Sequence, residues 1–131
     1  MIRSLLVASV LLLGSPSLYA LGLGEIELDS RLNQPLKAKI PVVLDEDTSV
    51  EDLTINLANQ ARFEKAGIKR GVLAMSLKFV PVQEADGKPY ILVMTKSRVL
   101  EPMLKFVLEV EQNGVRTLRE YAALIESPMN Q

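Results

Sequence analysis

The sequence contains no cysteine, no histidine and no tryptophan, and only three tyrosines and three phenylalanines among its 131 residues. Without cysteine there is no disulfide to brace the fold and no thiol to carry a lipid. Without histidine as well, Ser–His and Cys–His nucleophile pairs are excluded. Zinc sites, most copper sites and iron–sulfur ligation go with them. Neither sign of charge dominates: 15 Lys and Arg stand against 16 Asp and Glu. No basic excess exists to hold nucleic acid or anionic lipid in bulk. Paired carboxylates remain possible for catalysis. Asp45, Glu46 and Asp47 cluster, as do Glu51 and Asp52, but in a polar break with no aromatic nearby to hold a sugar. A glycosidase needs two carboxylates facing each other across a cleft. The Asp/Asn–Gly spacing of a calcium loop is also missing. Leu21-Gly22-Leu23-Gly24 has glycines but no preceding strand, so it is no phosphate loop. The expectation is a chain that is not an enzyme and uses no cofactor or metal.

What is present begins with a short n-region bearing Arg3, an apolar run from Leu5 to Leu13, a break at Gly14-Ser15-Pro16-Ser17 and a small residue at Ala20. That layout predicts a secretory signal peptide over residues 1–20. The run is well short of the ~20 residues that span a bilayer, which argues against a membrane anchor. Loss of Arg3 would move the net charge from −1 to −2. The remaining stretch of about 110 residues can bury enough surface to fold without disulfides. No further run reaches membrane length, and the expected location is the bacterial periplasm, where disulfides are optional.

The apolar period after the signal is mostly two, the mark of strands with one buried face. Glu25–Leu28 alternates, and Leu36, Ala38 and Ile40 share a face ahead of Pro41, which argues for an edge or a bulge. Leu53–Leu57 alternates. Asn59 can cap a helix over Gln60–Ala66 with Gly67 as its C′ residue. Ser49-Val50-Glu51-Asp52 also resembles a capping box, an alternative helix start. Leu73, Met75, Leu77 and Phe79 read as one strand face. Met75, Met94 and Met103 fit core or near-core positions. Glu84–Lys88 reads as a hairpin turn, Tyr90–Thr95 as a central strand, and Met103–Glu111 and Val115–Ile125 as a hairpin around Asn113-Gly114. The sum is mainly β: an immunoglobulin-like β-sandwich of about seven strands with one short helix. A small barrel is the alternative. The domain is expected over residues 21–126, with a tail at 127–131.

Charged residues in the last strands stand out. Arg98 and Glu101 flank an apolar pair, and Arg116, Arg119, Glu120 and Tyr121 lie on the returning strand. One reading is cross-strand charge pairing with Tyr121 closing the core edge. The other is a polar face that recognises a partner strand or a glycan, which makes these six the candidate partner-binding residues.

Leu21-Gly22-Leu23-Gly24-Glu25-Ile26, then Leu28, Ser30, Leu32-Asn33-Gln34-Pro35-Leu36 and Ala38, resemble the opening of the FimV family's N-terminal periplasmic domain. Phe63, Ala66-Gly67 and Arg70 resemble its middle. Leu77-Lys78-Phe79, Gly87-Lys88-Pro89 and Ser97 continue it. Glu101-Pro102, Leu104, Phe106, Glu109-Val110 and Leu118-Arg119-Glu120-Tyr121 resemble its closing hairpin. Met103 stands where the family favours Phe and Gln112 where it favours Trp. The resemblance runs from about Leu21 to Ile125. It implies a part in envelope assembly of the type IV pilus kind, without the LysM, transmembrane and cytoplasmic parts usual in that family. Partners expected on this basis are envelope or pilus-assembly proteins, and the alternative is peptidoglycan. The expected binding mode is pairing at an exposed sheet edge, with Leu36–Val43 and Glu25–Leu28 as candidate edges.

Overall fold

The computed structural model describes residues 21–85 and 87–128. The expected signal over residues 1–20 lies outside them. Eight strands form two antiparallel sheets. In the first, β3 (Pro35–Val43) pairs with β6 (Tyr90–Arg98), which pairs with β5 (Lys78–Val82). The other side of β3 is covered by two short strands in succession, β1 (Gly22–Leu23) and β2 (Glu27–Leu28). The second sheet has the order β4 (Thr54–Leu57), β7 (Met103–Gln112), β8 (Val115–Leu124).

The period-two pattern does what it promises in the long strands. Leu36, Ala38, Ile40 and Val42 of β3, Ile91 and Val93 of β6, and Leu104, Phe106, Leu108 and Val110 of β7 are all buried between the sheets. Apolar burial of this kind contributes roughly 25 cal/mol per Å². Phe106 is the centre of that layer. Its ring stacks on Tyr121 at 5.3 Å and lies 5.9 Å from Phe79 of the opposite sheet.

The turns follow local chemistry. Asn113 and Gly114 both have positive φ, 53° and 81°, giving the two-residue hairpin that suits the strand twist. Helix α1 (Gln60–Ala66) starts where the Asn59 side chain accepts the Arg62 N–H and stops at Gly67, which is left-handed with φ 75°. Ser49 does close a capping box with Asp52, but only around a single 3₁₀ turn, Val50–Asp52, before β4 begins. Both signals in that stretch are therefore used.

Three expectations are corrected. Leu73–Phe79 is not one strand: Val72–Met75 forms a second helix, α2, and β5 starts at Lys78. The four alternating apolar residues are split between elements, Leu73 and Met75 in α2, Leu77 in the link after it and Phe79 in β5, and Gly71 supplies the break that starts the helix. Met75, on α2, and Met103, on the outward side of β7, lie outside the core, 55% and 45% exposed.

The third correction concerns Pro41. Leu36–Val43 is no free edge, because β1 and β2 cover it. Gly24 donates its N–H to the Pro41 carbonyl at 2.8 Å, and Pro41 has no N–H to return. The covering strand breaks into two at that point. Gly24 passes so close that an added Cβ would lie 3.3 Å from the Pro41 carbonyl oxygen.

Candidate functional site

Sheet edges are where such a sandwich can add a partner strand, and most edges here are blunted. β1 and β2 have two residues each, β4 has four, and β5 contains Pro81. Short strands and edge prolines are standard protection against unwanted pairing. β8 is different: ten residues, no proline, and among the described residues paired only with β7. Ile125 donates its N–H to Pro102, in register with the Gln112–Val115 pair that closes the hairpin. Ladder bonds alternate in antiparallel pairs, so residues 115 to 123 at odd numbers bond to β7. The amides of Leu118, Glu120, Ala122 and Leu124 then point to the free edge, and their exposed side chains to the outer face.

The inner side of β8 is occupied. The Tyr121 hydroxyl donates to the Gly24 carbonyl at 2.9 Å, supplying the hydrogen bond that Pro41 cannot. Arg119 donates to the Leu23 carbonyl and, at 3.2 Å, to Glu25, with its guanidinium 4.9 Å above the Tyr121 ring. This latch closes the sandwich on the β1–β8 side.

Burial raises the Tyr121 hydroxyl from 10.0 to about 12; the Arg119 charge draws it down and that of Glu25 pushes it up. In the unfolded chain the phenol ionises near pH 10. The stability that the neutral, bonded phenol supplies is therefore whole below about pH 10 and falls as pH rises towards 12. Tyr121→Phe is expected to cost about 1 kcal/mol at neutral pH and to remove part of that alkaline loss. Urea melts of both chains at neutral and alkaline pH check this.

The six candidate residues do not gather on one face. Arg119 and Tyr121 point inward. Arg116 and Glu120 are on the outer face of β8, where Arg116 pairs with Glu109 at 3.2 Å. Arg98 ends β6 in the other sheet, and Glu101 sits in the loop before β7. The carboxylates at 45–47 and 51–52 are exposed, and among the described residues no group of acids could hold a metal ion. No helix among them is long and apolar enough to cross a membrane.

Two grooves flank β7 on the outer face of the second sheet, where both helices lie. One, about 480 Å³, runs between α1 and β8 and includes Arg62, Lys65, Val107, Leu118 and Glu120. The other, about 660 Å³, lies along the α1–α2 connection and the start of β7. Its polar lining is Lys69, Arg70, Glu101 and Lys105. Reading Leu73–Phe79 as a strand hid this second groove. The Gly67 and Gly71 pair, which brackets an irregular turn, was the signal available.

The architecture defines an immunoglobulin-like β-sandwich module with one long free edge. The model of the FimV N-terminal domain, an Ig-like domain, matches residues 21–128, and the chain belongs to that family. It is 40% identical over 129 residues to the motility hub protein FimV of Pseudomonas aeruginosa, in strain PAO1 and in strain UCBPP-PA14. The alignment covers 98% of this chain and 14% of each of those relatives. No solved structure matches the chain significantly.

Proposed function

We propose that this chain is a non-catalytic periplasmic interaction module that contributes to assembly of an envelope complex, such as a type IV pilus or secretion apparatus. The observation that carries the reading is β8: an unblunted ten-residue edge on a sandwich whose other edges are short or carry proline. A partner strand pairing there would gain main-chain hydrogen bonds and read the outward side chains Leu118, Glu120, Ala122 and Leu124. The family's motility relatives supply the setting. The peptidoglycan alternative has less support, since every aromatic side chain among the described residues is buried or half-buried, leaving no open stacking platform.

The test is affinity capture of the tagged chain from crosslinked periplasm, beside an Ala122→Pro variant. That proline removes an edge-facing N–H and leaves the β7–β8 ladder intact, which an unchanged melting curve verifies. The native chain is expected to recover a defined pilus, secretion or envelope protein and the variant to lose it. Capture of nothing above background, or retention by purified sacculi free of protein, overturns the reading.

A further inference from the structure

Arg70 is half-buried and has no carboxylate partner among the described residues. Its Nε–H donates to the Ala58 carbonyl at 2.9 Å, and its guanidinium lies 5.7 Å from the centre of the Phe63 ring. These two contacts fix the fork while leaving the terminal amino groups without a described acceptor. A guanidinium has five donors in a rigid plane, suited to taking a carboxylate with two parallel bonds.

The surroundings point the same way. Arg70 lines the 660 Å³ groove together with Lys69 and Lys105, opposed by one carboxylate, Glu101. Neither lysine is ion-paired among the described residues. The neighbouring groove adds Arg62 and Lys65. A chain whose net charge is −1 thus gathers, in two neighbouring grooves, cations that have no ion pair among the described residues. Apolar side chains sit among them: Val72 is 78% exposed, Met75 55% and Met103 45%. Large exposed apolar residues grouped at a groove mark an interaction site, and methionines adapt to varied apolar partners.

We infer that this groove docks a carboxylate-bearing segment of a partner polypeptide, with Arg70 as the anchor, Lys69 and Lys105 as flanking cations, and Val72, Met75 and Met103 receiving its apolar side chains. The concave shape suits a peptide rather than a flat lipid surface. Met103, at the rim of the groove, lies opposite Leu124 of the free-edge strand in the β7–β8 register. The inference rests on the reading of the chain as an interaction module and names the chemistry of what it binds.

The probe is a fluorescent peptide of about ten residues alternating Glu and Val, beside its Gln-for-Glu and Lys-for-Glu counterparts, titrated against the purified full chain by anisotropy. The Glu/Val peptide is expected to bind, to weaken as salt rises, and to outcompete both counterparts. Lys69→Glu with Lys105→Glu is expected to weaken it about tenfold. Both side chains are exposed, so the fold is kept. Arg70→Lys is expected to weaken it as well, although charge is retained, because the fork is lost. Equal binding of the Gln/Val peptide, or indifference to all three substitutions, overturns the inference. So does binding of phosphatidylglycerol vesicles without peptide binding. Self-association abolished by the same substitutions would put a second copy in the groove, and its acidic run at Asp45–Asp47 in place of a partner. Failure of the peptide while Ala122→Pro still abolishes capture removes the groove assignment alone; peptide binding without any captured protein removes the assembly role alone.

Discussion

Replacing Phe106 by alanine is expected to cost about 3–5 kcal/mol and to lower the melting temperature by roughly 10–25 °C. Phe106 is fully buried on the central strand of the second sheet. It contacts Tyr121 within its own sheet and Phe79 from the other. The loss is larger than transfer alone, because long paired strands cannot close around the void. Domains are stable by only about 5–15 kcal/mol in all, so the variant is expected to be marginal. Differential scanning calorimetry checks the shift, with Val72→Ala on the exposed side of α2 as the control that should change little. A melting curve equal to the native one would mean that the aromatic layer does not hold the sheets together.

Thr95→Val is expected to cost about 1–3 kcal/mol, a large figure for a change of one polar atom. Thr95 is the buried polar residue of the core among the described residues. The β3–β6 ladder shifts register between Pro35 and Lys37, and Leu36, at the shift, has no partner in the register. Thr95 Oγ1 accepts that N–H at 2.9 Å and donates to the Ser97 carbonyl at 2.8 Å. Valine keeps the shape and strands the buried Leu36 N–H, while the Ser97 carbonyl, on an exposed residue, can turn to water. An unpaired backbone group in a dry interior costs its full desolvation. Thr95→Ser is expected to recover most of the loss. Urea titration gives the energies, and faster amide exchange at Leu36 in the valine variant alone assigns them to this bond. Unchanged exchange there would show that the hydroxyl is not the partner the amide depends on.

Thr95 and Tyr121 illustrate one habit of this fold. Each side-chain hydroxyl makes good a backbone hydrogen bond lost at an irregularity, the first at a register shift and the second opposite a proline. In the linear sequence Tyr121 was a candidate for partner recognition and Arg119 stood beside it. The tertiary structure gives both an inward task, fastening the residues around Gly24 to β8. The outward surface of the same strand is left for a partner.

The sequence by itself determined the fold class and most of the strands, because period-two burial is a local rule read one residue at a time. It determined α1 with both of its caps, and the Asn113-Gly114 hairpin, because capping and left-handed turns depend on the residues at those positions alone. The lack of cysteine and histidine excluded whole chemistries without any structure. Only the tertiary structure decided which edge is free. Pairing partners lie far apart in the chain, and β1 and β2 are too short for any pattern to announce that they cover β3. It also decided where the cations go: Lys69 and Arg70 stand far from Lys105 in the chain, and meet it because α2 folds onto the start of β7. A composition close to neutral says nothing of such sorting, since charge balance is a sum over the chain and a binding surface is an arrangement in space.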